Sequence, residues 1–263
     1  MSWDPDIDDP TTRRHPYTEG GDDGMSTESR PGMPDLLAPI DPDAPVSGHV
    51  PPQEGKPIAQ APEHDWSAAQ AGLYPLLRPV GTLGTHLDSI ERATLAQHAD
   101  QKHTTPLIDD GPQGTVVVYA IASSGFDVIA NGDHVLAWGV PPAAVREAAY
   151  RNLSAWSAET GWVDETDGDR RLVSSATGSW DASRILLPEV RAHLSSTLGG
   201  TRGRVLVGLP DRDLLAAAFV PEGDAEFERQ FCEFVTDQAE AADEPIDGRV
   251  FELRDGQLVA VGS

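Results

Sequence analysis

The sequence predicts an α+β fold, in which three to four helices pack on a mostly antiparallel sheet, preceded by a disordered acidic N-terminal tail. Apolar and β-branched runs come in pairs joined by tight turns, as in Thr115–Ile121 followed by Phe126–Ala130. Segments with a 3.6-residue apolar period lie between such pairs, an order typical of α+β folds rather than doubly wound sheets. Proline is also unevenly distributed, with 12 of the 22 prolines in residues 1–65.

The uneven distribution of proline divides the chain into two predicted regions, a tail over residues 1–65 and a single α+β domain over residues 66–263. The tail is rich in proline and aspartate and has few large apolar side chains. The apolar surface that the tail could bury is too small to offset an ordering cost of about 1–2 kcal/mol per residue, so we expect the tail to be disordered. Translation from Met25 or Met33 instead of Met1 is left open by the sequence.

Composition excludes several classes of partner. The chain has 43 acidic and 19 basic residues and a net charge of -24, a field that repels phosphate backbones, so we expect no nucleic-acid partner. No apolar run reaches the roughly 18 residues of a membrane span, and the N-terminus lacks the pattern of a signal peptide. The sequence therefore predicts a soluble cytoplasmic protein without a membrane partner. The single cysteine, Cys232, lies in an amphipathic helical pattern and is interpreted as a small buried hydrophobe.

The first half of the domain contains one extended segment, one helix and one strand pair. Ala71–Val80 is apolar but contains two prolines, which favours an edge or extended element. Apolar residues at helical spacing predict a helix from Leu87 to about Gln101. Thr115–Ile121 is a continuous β-branched run typical of a central strand, and Phe126–Ala130 is predicted to return beside it.

The second half alternates helices and strands. The stripe from Val145 to Trp156 predicts a helix opened by Pro141–Pro142, followed by a polar loop and a short strand. A second helix is predicted to begin at or before Pro188 and to stop at Gly199–Gly200. The sequence then predicts strands at Arg204–Leu209 and Leu214–Val220, a helix at about Ala225–Ala241, and a hairpin turning at Asp255–Gly256.

The segment W-D-A-S-R, Trp180–Arg184, is the first candidate site. Asp181 stands where a helix N-cap is expected, which is the structural interpretation. Arg184 either pairs with an acid such as Asp181 or Glu189, or binds a carboxylate or phosphate. Ser183 is a candidate nucleophile or hydroxyl donor, although a nucleophilic serine needs a base that no nearby residue supplies.

The segment P-D-R-D, Pro210–Asp213, is the second candidate site. Asp211 and Asp213 form a D-x-D pattern that weakly indicates a divalent cation, while aspartate and proline are also ordinary turn residues. Arg212 between the two acids either neutralises them or binds an anion. Only a short helix and strand separate the two segments, so we expect one cluster of charge made by Asp181, Ser183, Arg184, Asp211, Arg212 and Asp213.

Motifs that would identify a cofactor or a catalytic metal are missing from the sequence. It contains no G-x-x-x-x-G-K-[ST], no G-x-G-x-x-G after a strand, no G-x-S-x-G, no H-E-x-x-H and no paired C-x-x-C. We therefore expect no cofactor and no bound metal, and no complete set of catalytic residues is visible.

Four blocks of the sequence resemble the bacterial domain-of-unknown-function family 1444, the YtpQ-like proteins. They are Trp138–Leu153, Asp181–Pro188, Val205–Leu215 and the closing V-F-E-L-R-D-G, and the likeness covers about Tyr74 to Val261. The resemblance implies a cytoplasmic α+β domain with no assigned activity. It also implies that the D-A-S-R and P-D-R-D segments belong together.

Two functions remain open at this point. The first is a binding or regulatory module with a protein partner, in which the charge cluster holds the fold together. The second is an enzyme or ligand-binding protein that uses the cluster to hold an anionic small molecule or a divalent metal. Incomplete catalytic machinery favours the first.

Overall fold

The computed structural model describes residues 62–123, 126–200 and 202–261. All of these residues belong to one unit of contacts, Pro57–Ser263. Residues 1–61, which make up nearly all of the predicted tail, lie outside the described part of the chain.

Two mostly antiparallel sheets form the centre of the fold. The first has the order β1-β4-β3-β2, with β5 also paired to β4, and only the β2–β3 pair is parallel. Its strands are β1 Leu73–Arg78, β2 Thr85–His86, β3 Leu107–Asp110, β4 Val116–Ser123 and β5 Phe126–Ile129. The predicted central strand is confirmed, since β4 pairs with β1, β3 and β5.

The second sheet has six antiparallel strands in the order β11-β10-β8-β9-β7-β6. They are β6 Val163–Asp167, β7 Arg170–Ser175, β8 Gly203–Asp211, β9 Leu214–Pro221, β10 Pro245–Arg254 and β11 Gln257–Ala260. The predicted hairpin at Asp255–Gly256 joins β10 to β11. Asp255 has a φ of 50° and Gly256 a φ of 73°, which is the conformation of a two-residue hairpin turn.

Helices cover these sheets, and the α+β prediction is confirmed with two sheets where one was expected. The described helices are α1 Trp66–Ala69, α2 Arg92–Gln97, α3 Gly132–Trp138, α4 Pro142–Glu159, α5 Pro188–Leu198 and α6 Ala225–Ala241. Pro142 and Pro188 lie in the first turns of α4 and α5, where a missing N–H costs nothing. A short 3-10 helix, Ala182–Leu186, precedes α5.

The central strands of the second sheet, β8 and β9, are buried on both faces, which explains their unbroken apolar runs. Residues alternate along β8, so that Val205, Val207 and Leu209 join the larger core while Leu206 faces a smaller core beneath α6. Phe231 and Val235 are the α6 residues buried in this smaller core. The sheet therefore separates two apolar layers.

Three sequence predictions differ from the structure. The helix predicted from Leu87 to Gln101 is only a 3-10 turn and the six-residue α2. The helix α3, which the sequence did not predict, begins soon after β5, because the Asn131 side chain accepts the His134 N–H and caps the helix. The polar loop after Gly161 contains β6, an edge strand whose side chains are all exposed and therefore carry no apolar pattern.

Among the described helices, none combines the length and apolar character that crossing a membrane requires.

Candidate functional site

The D-A-S-R and P-D-R-D segments meet in the structure, as the sequence predicted. The Ala182 N–H donates to the Arg212 carbonyl at 3.1 Å, and Arg212 Nε donates to the Ser179 carbonyl at 3.3 Å. The Trp180 ring stacks on Tyr74 with centroids 4.7 Å apart, and the Arg212 guanidinium lies 5.1 Å from the Trp180 centroid. The six predicted residues nevertheless separate into a buried group, Asp181, Ser183 and Arg184, and a half-buried group, Asp211, Arg212 and Asp213.

Asp181 belongs to the buried group, and its predicted role as an N-cap is wrong. Its backbone is already helical and its side chain makes no capping bond to the 3-10 helix that follows. The fully buried carboxylate instead accepts hydrogen bonds from residues before it: Ser175 Oγ at 2.5 Å, Thr177 N and Oγ1 at 2.9 Å, and Ser179 N at 3.3 Å. Asp181 thereby fixes the turn that connects β7 to the 3-10 helix.

Arg184 is the largest fully buried side chain of the described residues, with 1% of its surface exposed. Its guanidinium donates hydrogen bonds at 2.6–3.3 Å to Ser157 Oγ and O, Thr160 O, Gly161 O and Ser175 Oγ. Three of these acceptors are carbonyls at or just beyond the end of α4, where a cation is favoured by the helix dipole. Arg184 is therefore a C-terminal cap of α4.

The predicted ion pair between Asp181 and Arg184 is indirect. The Ser175 hydroxyl donates to Asp181 and accepts from Arg184, so it connects the two charges. Burial lowers the pKa of Arg184, and the negative charge of Asp181 acts in the opposite direction. Trp162 lies over the guanidinium with 3.9 Å between Arg184 Cζ and the ring centroid. No polar atom of this arginine is directed toward solvent or a ligand.

Ser183 is also buried and structural. Its Oγ accepts the backbone N–H of Leu77 at 3.1 Å, which closes part of the free edge of β1. A nucleophilic serine has to present its oxygen to a substrate and give its proton to a base. Ser183 does neither in this structure.

Arg212 belongs to the half-buried group, and its guanidinium contacts three carboxylates. Its guanidinium lies 2.8 Å from an Asp127 carboxylate oxygen, 3.4 Å from Asp213 Oδ1 and 3.6 Å from Glu244 Oε2. Together with the stacking on Trp180, these contacts hold the side chain against the protein. Arg212 therefore neutralises neighbouring carboxylates, which is the structural alternative left open by the sequence.

Among the described residues, Asp213 has the one buried side-chain oxygen without a hydrogen-bond partner. Its Oδ1 is buried and accepts no hydrogen bond in the described part of the chain, although the side chain as a whole is 42% exposed. Burial raises the pKa of Asp213, and the charges of Asp211, Asp181 and Glu244 raise it further, while Arg212 lowers it. The raised pKa is thus mainly a consequence of burial, and Arg212 is the largest charge that opposes it.

An open cleft of about 420 Å³ lies beside these residues, and we call it the acidic cleft. Its lining is Asp211, Arg212, Asp213, Gln238, Ala241, Ala242, Asp243 and Glu244. Glu244 is paired with Arg78 at 2.6 Å, whereas the side chains of Asp211 and Asp243 form no ion pair with any described residue. The cleft therefore offers acceptors for a cationic group.

Sequence reasoning missed the partners that decide which residues are exposed. Ser175, Asp127 and Glu244 were not singled out, because each is distant in sequence from the residue it contacts or lies in a segment without a distinctive motif. Trp180 was the one usable signal, because a tryptophan ring is the aromatic surface that best attracts an arginine guanidinium.

The other candidate sites carry no ligand geometry. Within the described residues, no group of three or more histidine, cysteine, aspartate or glutamate side chains is arranged to hold a metal ion. Cys232 is half-buried on α6, and burial raises the pKa of its thiol, which makes it a poor nucleophile.

Comparison with known proteins produced no match, whether to family models, to curated proteins or to solved structures. The resemblance to family 1444 therefore stays a prediction.

Proposed function

We propose that the chain is a protein-binding module rather than an enzyme, and that the acidic cleft receives a basic segment of a partner protein. The observation that supports this most strongly is the division of the charge cluster. In its buried half, Asp181 and Arg184 are bonded to other parts of the fold. Only the acid-rich half of the cluster faces an open cleft.

The division argues against the alternative of an enzyme or anion-binding protein. That hypothesis needed Arg184 and Arg212 to hold an anion and Ser183 or an aspartate to act on it. Arg184 is bonded to the end of α4, Arg212 to carboxylates and a carbonyl, and Ser183 to a backbone N–H. An anion would have to displace these bonds and approach several uncompensated carboxylates.

Charge identifies the class of partner. The cleft has four carboxylates and one arginine that is already paired, in a chain with a net charge of -24. A lysine or arginine side chain would pair with Asp211 and Asp243, which have no ion-pair partner among the described residues. The same field disfavours a nucleic-acid partner. We place the module in the cytoplasm, since the resemblance implies it and one cysteine needs no oxidising compartment.

The test is a titration of the full chain into a fluorescein-labelled peptide of about ten residues that alternates valine with lysine, followed by fluorescence anisotropy. We expect saturable binding that weakens as salt rises. The double variant Asp213→Asn/Asp243→Asn should weaken binding about three- to tenfold, because each exposed ion pair contributes about 0.2–1 kcal/mol.

Two controls show whether the cleft is responsible. Asp255→Asn removes one negative charge from the β10–β11 turn, where asparagine also adopts a positive φ, and should bind the peptide as the unaltered chain does. A peptide with glutamate in place of lysine should not bind. Equal affinity of the double variant and Asp255→Asn would contradict the proposal.

A further inference from the structure

The two outer strands of the second sheet, β11 and β6, differ in whether another described residue forms a hydrogen bond with their free backbone edge. At β11, Gln113 Nε2 donates to the Leu258 carbonyl, which closes part of that edge. At β6, none of the described residues outside β7 forms a hydrogen bond with the backbone of the strand. All five side chains of β6 are exposed, including Val163 at 56%. The β6 edge is thus left unpaired along its whole length by the residues that the structure describes.

The turn at the end of β6 determines which backbone groups face outward. Asp167 and Arg170 flank the two-residue loop Gly168–Asp169, and Gly168 has a φ of 62° while Asp169 is not among the residues with positive φ. This is the pattern of a type II′ turn, whose flanking residues are hydrogen-bonded to each other. Hydrogen-bonded pairs alternate along an antiparallel ladder, so Asp164 and Thr166 direct their N–H and C=O groups away from β7.

The charge of β6 selects among possible occupants. The strand V-D-E-T-D carries three carboxylates, of which only Asp164 is paired within the described part of the chain, with Arg171 at 2.9 Å. Glu165 forms no ion pair or hydrogen bond with a side chain of the described residues. A second copy of β6 would place carboxylates against carboxylates, which is unfavourable in cross-strand positions. Residues 1–61 are also more acidic than basic.

We propose that the β6 edge is a strand-addition site, at which an extended segment of a partner protein that alternates apolar with lysine or arginine side chains adds a seventh strand to the second sheet. Main-chain bonds to Asp164 and Thr166 would supply affinity, and contacts with Glu165 and Asp167 would supply preference for a basic segment. This inference goes beyond the acidic cleft and stands or fails separately from it.

The experiment uses the full chain, the labelled valine–lysine peptide and a matched pair of proline variants. Thr166→Pro removes an outward N–H and is tolerated at an edge whose N–H faces solvent. Glu165→Pro removes an N–H bonded to β7. We expect Thr166→Pro, compared in the Asp213→Asn/Asp243→Asn background so that the cleft does not mask the loss, to keep the melting temperature and weaken binding by about tenfold or more, and Glu165→Pro to lower the melting temperature.

Hydrogen exchange on the unaltered chain provides a measurement without substitution. Saturating peptide should slow exchange at the amides of Asp164 and Thr166 and leave those of Val163 and Glu165, already bonded to β7, unchanged. Wild-type affinity in Thr166→Pro, or no change in exchange at these two amides, would overturn the proposal. Loss of binding in the cleft variant but not in Thr166→Pro would leave the cleft as the site, and the reverse would leave β6. No binding of the peptide would overturn both.

Discussion

At the scale of single residues, the buried charges of the D-A-S-R segment act as ties between elements. Arg184 holds the end of α4, Asp181 holds the turn after β7, and the Ser175 hydroxyl joins the two. Breaking a buried charged network by removing one member leaves the other uncompensated, which costs far more than losing an exposed pair. The network is thus expected to matter for stability.

Asp181→Ala should lower the free energy of unfolding by about 3–5 kcal/mol, because the Arg184 charge would stay buried without its counterpart. Asp88→Ala is the matched control, since Asp88 pairs with Arg146 at 2.9 Å but its side chain is 79% exposed, and its loss should cost at most about 1 kcal/mol. Chemical denaturation of both variants provides the comparison. Equal costs would show that the Asp181 network contributes no more than a surface pair.

His134 gives the stability a dependence on pH. Burial lowers its pKa from the ordinary 6.5, the neighbouring His64 lowers it further, and Glu63 and Asp133 act in the opposite direction. Between pH 6.5 and the lowered value the unfolded chain binds more protons than the folded chain. The free energy of unfolding should therefore be insensitive to His134 above this window and fall as the pH drops through it.

His134→Gln separates this titration from the helix cap. His134 Nδ1 accepts the Asn131 N–H at 3.2 Å, and glutamine at the same position can accept that bond without titrating. Denaturation curves between about pH 7 and 5 should show a smaller loss of stability in the variant than in the unaltered chain. Parallel curves for the two proteins would exclude His134 as a source of the dependence.

The limits of sequence prediction are visible at this scale. The sequence identified Asp181, Ser183 and Arg184 as special because polar groups stood among apolar ones, and all three are buried. It did not show that Arg184 binds carbonyls of Ser157 and Gly161, because those acceptors are backbone atoms more than 20 positions away. Every residue type has a backbone carbonyl, so the sequence does not indicate which carbonyls accept a hydrogen bond.

At the scale of elements, close packing of α6 on the second sheet depends on a small residue in β8. A Cβ on Gly208 would lie 2.3 Å from Val235 Cγ2, well inside van der Waals contact. Gly208→Ala should therefore destabilise the protein by about 1–3 kcal/mol through overpacking. At Gly248, also near α6, a Cβ would meet Ala239 at an ordinary 3.5 Å, so Gly248→Ala is the matched control.

Thermal unfolding of the two glycine variants checks this account. A melting temperature of Gly208→Ala no lower than that of Gly248→Ala would mean that the helix can move away from the sheet without cost.

Predictability of elements followed the strength of their apolar patterns. The α4 helix and strands β4, β8 and β9 have long apolar periods or runs, and each lies where the sequence predicted it. The β6 strand was missed because it is exposed on both faces, so its existence depends on pairing with β7 rather than on burial. The pairing of two strands depends on the tertiary structure and cannot be predicted from the local composition of one of them.

At the scale of the whole molecule, ion pairs connect the two sheets, and the remaining surface charge is mostly that of carboxylates. Arg212, between β8 and β9, pairs with Asp127 of β5, and Arg78 of β1 pairs with Glu244 before β10. The sequence predicted that the two candidate segments would meet, from their short separation. It did not predict the contacts with Asp127 and Arg78, because these belong to the other sheet.

The measurement that tests the central claim most directly is a thermal-shift screen of the full chain. Divalent cations, phosphates, nucleotides, small carboxylates and the valine–lysine peptide would be compared. A ligand at a hundred times its Kd should stabilise the fold by about 2.7 kcal/mol. We predict that the peptide raises the melting temperature and that the other ligands do not. A shift with a phosphate or carboxylate that is lost in Arg212→Ala would contradict the account and favour an anion-binding or catalytic site.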